Sequence, residues 1–324
     1  MKVLITRALG AVIAGLVLAS GAMAAEKLKF AHVYETSSPY HKWAVWAAGE
    51  IGKRTQGRFA VDVFAASSLG KEVDINEGLT LGTVEMIYTG ALFAGRSFGP
   101  IAISGSPFMF RDFAHWKTYT KSGLFRELGE GYRKVTGNHV VAMTYYGERH
   151  VTSNKPIRTP GDMKGLKIRV PNAPLYMMFP KATGANPTPI AFAEVYLALQ
   201  QGVVDAQENP LPTIKFKKFY EVQKYINLTG HITDALLTIV GGPLWKRLSV
   251  EDRKIFTGVL KEAAANCTGE IVQAEKDLVA WFEGQGVKVL KVDRKPFRKA
   301  VLPYHLGPDA TWPKDVYDRL QALR

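Results

Sequence analysis

The sequence holds a single cysteine, Cys267, in 324 residues. An internal disulfide is therefore excluded, and stability must come from a buried core, for which a hydrophobic content of 47% is ample. Metal chemistry has as little to work with. The seven histidines (His32, His41, His115, His139, His150, His231 and His305) are scattered, and none pairs with another histidine, a cysteine or a carboxylate at metal-ligand spacing. The phosphate-cradling loop and the dinucleotide glycine signature are both missing, so the sequence implies no metal and no cofactor. No arginine-rich tract or aromatic-interleaved basic stretch appears, so the formal charge of +13 does not read as a nucleic-acid surface. It suits an acidic surface or an anionic ligand instead.

Long hydrophobic runs are also scarce. One occurs, at the N-terminus, where Lys2 and Arg7 precede "ALGAVIAGLVLASGAMA" and small residues close the run at Ala22-Met23-Ala24. That is the pattern of a cleaved secretory signal peptide, residues 1–24, and it predicts export to the periplasm. No cysteine follows the run to carry a lipid anchor, and no later segment has the apolar length of a transmembrane helix.

One catalytic pattern does occur. Residues 95–99, "GRSFG", fit a nucleophile elbow with Ser97 as nucleophile. That elbow needs a sharp strand-to-helix turn and a glycine-rich oxyanion segment. Here Pro100 follows at once and no such segment precedes, so a serine hydrolase stands only as a remote alternative.

The rest of the chain alternates strand and helix. "KLKFAHVY" reads as a strand. Ser38 then caps a helix that has Pro39 at its first position, apolar residues at Tyr40, Trp43, Ala44, Ala47 and Ile51, and Gly57 just past its end. "RFAVDVFA" and "VEMIYTG" read as strands around a helix in "KEVDINEGLTLG". A second run of the same kind starts near Gly147, with strands in "LKIRV" and "VVDAQEN" and helices after Pro174 and in "AFAEVYLALQQG". Doubled β-α units predict an α/β protein with two similar lobes, parallel strands and helices on both faces. Ile255, Val259, Ala263, Cys267, Ile271, Leu278 and Phe282 share one stripe, which predicts a helix over 249–283 long enough to span both lobes. Gly258 and Gly269 interrupt it at a cost of only ~1 kcal/mol each. Cys267 reads as a small buried group on that stripe, and the tail as a loop and a closing helix.

Three segments carry a family likeness: "TSNKPIRTPGDMKGLKIRVPNA", "ANPTPIAFAEVYLALQQGVVDAQENP" and "KFYEVQKYINLTGH". Through them the chain resembles the solute-binding proteins of TRAP transporters, and its second lobe is similar to the sialic-acid-binding members. The resemblance implies a two-lobed periplasmic-binding-protein-like fold with a ligand cleft between the lobes and a long helix across both. It implies a monomeric receptor that is not an enzyme and hands its ligand to a membrane permease driven by an ion gradient. The lobes are expected at residues 25–146 plus 235–274 and at 147–234 plus 275–324.

By the same resemblance Arg169, in "RVPNA", forks onto the ligand's carboxylate, and the planar guanidinium suits that task. Read alone, it is as well a strand end paired with Asp162. Arg149 matches a second arginine that adds positive charge to the cleft. Asn209 matches an asparagine that bonds the ligand on closure, Phe192 a ring packed on the ligand, and Glu72 an acid that contacts ligand hydroxyls. The chain also departs from the sialic-acid binders: Gly90 and Phe93 stand where they place Glu and Arg, and Val33 where they place Asn. The first lobe thus loses polar partners while the carboxylate anchor stays. The expected ligand is a sugar acid, a uronate or aldonate. Because Tyr34, Tyr88 and Phe93 can form an apolar wall, an aromatic or hydroxy monocarboxylate is the alternative, followed by a dicarboxylate.

Overall fold

The computed structural model describes residues 24–324, and the expected signal peptide lies outside them. No helix among the described residues is long and apolar enough to cross a membrane. The described strands are β1 (Glu26–Ala31), β2 (Phe59–Phe64), β3 (Met86–Gly90), β4 (His139–Ser153), β5 (Lys167–Val170), β6 (Asn186–Pro189), β7 (Ala206–Pro210), β8 (Tyr225–Val240) and β9 (Lys288–Lys291). They form one sheet in the order β2-β1-β3-β8-β4-β7-β5-β6, with β9 against the start of β8.

The two lobes are the two ends of this sheet. The first holds β2, β1 and β3, and the second β7, β5, β6 and β9. Within each lobe the short strands run parallel, as the β-α units predict. The middle corrects the all-parallel expectation. β4 and β8, at 15 and 16 residues, run antiparallel to each other and to β7 and β3 respectively, and pass through both lobes. Each is long enough to serve a lobe at each end.

Local chemistry sets the helices. The helix Pro39–Arg54 begins where the Ser38 hydroxyl accepts from the His41 amide at 3.3 Å, with proline at its first position. The helix Glu72–Leu81 ends at Gly82, whose left-handed φ of 79° stops it, and carries Glu72 and Asp74 in its first turn. The long helix Val250–Gly284 is capped by Ser249, whose hydroxyl accepts from the Asp252 amide at 3.0 Å. Its stripe feeds two cores. Val259, Ala263, Cys267 and Ile271 pack in the large cluster, Leu278 and Phe282 in a second one with Val195, Leu211 and Phe219. One helix thereby braces both lobes. Ile255 alone of the expected stripe is only half-buried.

The long strands are bulged where the lobes meet, with a register shift between Tyr145 and Gly147. The long helix grips this bulge. Glu275 accepts from the Glu148 amide at 2.6 Å and from the Tyr145 hydroxyl at 2.9 Å, while Thr268 accepts from the Tyr145 amide at 3.0 Å.

The C-terminal tail corrects a second expectation, which put it in the second lobe. The helix Lys314–Ala322 packs on the first lobe. Arg319 pairs with Glu127 at 2.5 Å, and the Leu320 carbonyl lies 3.0 Å from His115 Nε2. The chain crosses back after the helix Arg294–Val301 to cover apolar surface there with Trp312, Val316 and Leu320.

Gly147 is the position where the bulge demands glycine. Its φ is +119°, and an added Cβ would stand 2.6 Å from Pro210 Cβ and 2.8 Å from Glu275 Oε1. Gly147→Ala is expected to cost about 2 kcal/mol or more through backbone strain and overpacking. Denaturant unfolding of the variant measures this directly; a loss below about 0.5 kcal/mol would mean that the bulge relaxes freely.

Candidate functional site

Between the lobes lies a pocket lined by side chains of both. Of the residues singled out from the sequence, Arg169, Arg149, Asn209, Phe192, Glu72, Gly90, Phe93 and Tyr34 all line it. Tyr88 does not. Its ring packs in the core against Phe30 at 4.7 Å and His32 at 5.9 Å, two residues before Gly90 at the cleft end of β3. Tyr146, Tyr176 and Asp234 complete the walls, with Lys71 and Asn172 at the edge.

Arg149 sits on β4 opposite Pro210 of β7 and Ile232 of β8. Glu208 and Asp234 are the diagonal neighbours on either side, within reach of its guanidinium. Glu208 takes it in a fork, with Oε1 at 2.7 Å from Nη2 and Oε2 against Nε, and Asp234 Oδ2 lies 2.9 Å from Nη1. All three are buried. This corrects the reading of Arg149 as a source of positive charge in the cleft, since two carboxylates already match it. Burial alone would raise the Glu208 carboxyl, but Arg149 and a contact from His231 override that and hold it down at about 2. Burial pushes Asp234 up to about 6 despite Arg149. Burial also lowers His231, so it is neutral at pH 7, with its ring stacked 3.9 Å from Phe179.

Arg169 is different. It lies on β5 beside Gln207 of β7, 1% exposed. Nε and Nη2 both donate to the Ile190 carbonyl, at 2.9 and 2.7 Å. Nη1 is buried without a hydrogen-bond partner, and no described carboxylate pairs with this guanidinium. Asp162, the alternative partner, is instead spent on the amides of Arg158 and Thr159, each at 2.8 Å. Burial pulls Arg169 down to about 10, so it remains a cation at neutral pH. An uncompensated buried cation costs several kcal/mol, which marks the position as one that awaits an anion.

The remaining wall is aromatic. Tyr34 lies 5.4 Å from Tyr146 and 6.0 Å from Phe192, and Phe93 6.1 Å from Tyr176. Phe192 also stands 6.0 Å from the Arg169 guanidinium. Asn209 is tied on both sides: its Oδ1 accepts from the Tyr146 hydroxyl at 3.2 Å and its amide donates to Gln207 at 2.6 Å. Gly90 matters for space. A Cβ there would meet the Tyr176 hydroxyl at 3.0 Å, so the missing side chain lets Tyr176 reach across the cleft. Glu72 faces it, with Oε1 accepting from the Gly90 amide at 2.8 Å and the Thr89 hydroxyl at 2.9 Å. Burial pushes Glu72 up to about 7.

Sequence reasoning missed Glu208, Asp234, Tyr146 and Tyr176. A signal existed for the acids. Asp234 interrupts the apolar run "ITDALLTIV" and Glu208 sits inside "AQENP", and a carboxylate inside a buried strand needs a cationic partner. Ser97 lies exposed in a turn after the helical turn Ala91–Ala94, away from any strand end, so the elbow geometry is absent there.

Contacts across the cleft roof the pocket. Lys217 Nζ lies 2.6 Å from Glu35 and Lys71 Nζ 2.8 Å from Glu194, each pair joining the two lobes. The side chains of Lys217 and Glu35 are 13% and 30% exposed, so this pair is the better shielded of the two.

The sequence pattern of bacterial extracellular solute-binding protein family 7 matches residues 30–307. The chain is 32% identical over 305 residues to the sialic acid-binding periplasmic protein SiaP of Vibrio cholerae serotype O1, covering 94% of this chain and 95% of that protein. Among solved structures it resembles a TRAP periplasmic solute-binding protein from Polaromonas sp. JS666 bound to D-erythronate. There the TM-score is 0.88 and the identity 32%, over 92% of this chain and 99% of that one. A TRAP periplasmic solute-binding protein from Roseobacter denitrificans with bound L-galactonate gives a TM-score of 0.87 at 30% identity, over 93% and 99%.

The Glu35–Lys217 pair is expected to bias the cleft toward closure. A half-shielded pair of this kind contributes about 0.5–1 kcal/mol, so Lys217→Ala should shift the closed-to-open ratio roughly two- to fivefold. Small-angle scattering of the ligand-free variant should give a larger radius of gyration than wild type. Superimposable profiles would remove this pair from any role in holding the cleft.

Proposed function

The chain belongs to bacterial extracellular solute-binding protein family 7, and on that premise we propose that it captures a small organic acid by closing its two lobes around the ligand's carboxylate. It is a TRAP-type solute-binding receptor and not an enzyme. The observation that carries the ligand reading is Arg169: a buried cation in the pocket, with one guanidinium nitrogen unpartnered and no carboxylate of the protein upon it. A ligand carboxylate supplies the missing charge and accepts the free N–H.

The preferred ligand is a hydroxylated sugar acid of the uronate or aldonate kind. Two features support it: Glu72 faces Arg169's side of the cleft from the opposite lobe, and the similar proteins named above are described with sialic acid, D-erythronate and L-galactonate. The aromatic wall of Tyr34, Phe93, Tyr146 and Tyr176 favours a second reading, a less hydroxylated monocarboxylate. Asn209 and Phe192 contact the ligand in either case. Arg149 acts by holding β7 and β8 in place rather than by touching the carboxylate.

Family membership supports a wider setting for this receptor. The signal peptide directs the chain to the periplasm, the receptor works as a monomer, and its partner is a membrane permease that draws on an ion gradient. The lobes are residues 25–146 plus 235–274 and residues 147–234 plus 275–308. The tail after 308 joins the first lobe.

Removing one partner of a buried ion pair costs ~3–5 kcal/mol, or roughly two to four decades of affinity. Arg169→Ala is therefore expected to abolish measurable binding of whichever acid stabilises the wild type in a thermal-shift screen, and Arg169→Lys to weaken it strongly for want of the planar fork. Calorimetric titration of variants shown by circular dichroism to be folded decides the matter. Binding by Arg169→Ala within a few-fold of wild type would overturn the assignment.

A further inference from the structure

The acids around Arg169 outnumber the cations. Lys71 at the rim is matched by Glu194, and inside that rim pair Arg149 and Arg169 face Glu208, Asp234 and Glu72, all of them at the pocket or one contact behind it. With every carboxyl ionised the unliganded site already carries more negative than positive charge. A bound carboxylate adds another negative charge in a place shielded from water, where like charges repel most strongly. One acid is expected to yield by taking a proton.

Geometry selects which. Glu208 has both oxygens on Arg149 and a third contact from His231. Asp234 has Oδ2 on Arg149 and Oδ1 on the Ala235 amide at 2.8 Å. Glu72 has two donors, and both are on Oε1. The Thr89 hydroxyl is oriented toward it because Asn76 Nδ2 donates to the same hydroxyl at 2.9 Å. No described group donates to Oε2. We propose that the pocket takes up its anionic ligand together with one proton, which settles on Oε2 of Glu72 and makes Glu72 a hydrogen-bond donor to an oxygen of the ligand. This rests on the acid-binding reading of the pocket, and it adds a selectivity: the ligand must present an acceptor oxygen, hydroxyl or carbonyl, to the first lobe.

The groups facing Glu72 are consistent with this. From its own helix come Lys71, turned across the cleft to Glu194, and Asp74, spent on the Lys71 amide at 2.8 Å. Tyr34 faces it from the loop after β1, and Tyr146, Tyr176, Arg149 and Asp234 from the far wall. Arg149, the nearest fixed cation of the group, is already matched by two carboxylates. Burial outweighs the hydrogen bonds from Gly90 and Thr89 and brings Glu72 up to about 7, and an adjacent anion moves it further up. The sign follows. Below about pH 7 Glu72 is protonated with or without ligand, and affinity is flat. Above it, binding must draw a proton from solution, so Kd is expected to rise up to about tenfold per pH unit until the liganded value is reached.

The test is calorimetric titration of the full chain with D-erythronate, L-galactonate and succinate at about pH 8, in HEPES and in Tris, whose protonation heats differ. For a titrant that binds, the difference in observed heat should correspond to uptake of close to one proton, and Glu72→Gln should reduce that uptake to near zero and flatten Kd between about pH 6 and pH 8. No uptake by wild type would overturn the proposal. Full uptake retained in Glu72→Gln would overturn the choice of Glu72. Should the variant fail to fold, the wild-type buffer series and its Kd-against-pH curve still decide whether a proton enters. Failure of a broad acid panel to bind at all would instead overturn the receptor reading of this pocket, and this inference with it.

Discussion

The site depends on how two buried arginines are compensated. Arg149 is locked between Glu208 and Asp234 at the point where β4 passes from one lobe to the other. The three side chains come from three adjacent strands, so their ion network fixes the sheet where it is bulged and bent. Breaking such a buried network leaves a bare charge and is strongly destabilising. Arg169, on β5 beside it, has a carbonyl where Arg149 has carboxylates. The stabilised network holds the second arginine in a pocket where no described carboxylate pairs with it directly. A rigid frame and an unsatisfied charge are the two things a selective anion site needs, and each is supplied by a separate residue.

Much of the fold is legible in the sequence because local rules and tertiary packing agree. Ser38-Pro39, Gly82 and Ser249 mark helix ends that the structure keeps. The stripe from Val259 to Phe282 is continuous because one helix face meets core along its whole length. Strand direction was not legible. Periodicity says that a residue faces a core but not which way the chain runs beside its neighbour, so the expectation of parallel strands did not include the antiparallel pairing of β4 and β8. The tail was misread for a related reason. The helix Lys314–Ala322 is amphipathic on any surface, and only tertiary contacts such as Arg319 with Glu127 tell which lobe it covers.

The site was legible where a side chain sits at a strand or helix terminus in a recognisable segment: Arg169 after "LKI", Asn209 before Pro210, Glu72 opening a helix. It was not legible where the role arises from pairing across strands. That Arg149 is compensated depends on the register of β4 with β7 and β8, which puts Glu208 and Asp234 on its diagonals. Tyr88 failed for a simpler reason. It is an aromatic residue near the end of a strand that points at the cleft, but it lies two residues back from that end and its ring packs in the core against Phe30.

Closure and capture are coupled through the sizes of these terms. The pairs that cross the cleft, Glu35 with Lys217 and Lys71 with Glu194, are partly exposed, and each contributes at most about 1 kcal/mol. Alone they bias the lobes without committing them. The term that differs most between empty and filled pocket is the compensation of Arg169. On the proposed reading that term exists only when the carboxylate is bound and the aromatic wall has excluded water around it. A ligand shifts a conformational equilibrium only by its differential affinity for the two states. Closure is then governed by the charge of the ligand, with the rim pairs as a small constant bias. The same asymmetry permits release, because a partner that pulls the lobes apart has to overcome weak, solvated pairs at the rim, after which water reaches Arg169 and its hold on the carboxylate falls to that of an exposed ion pair.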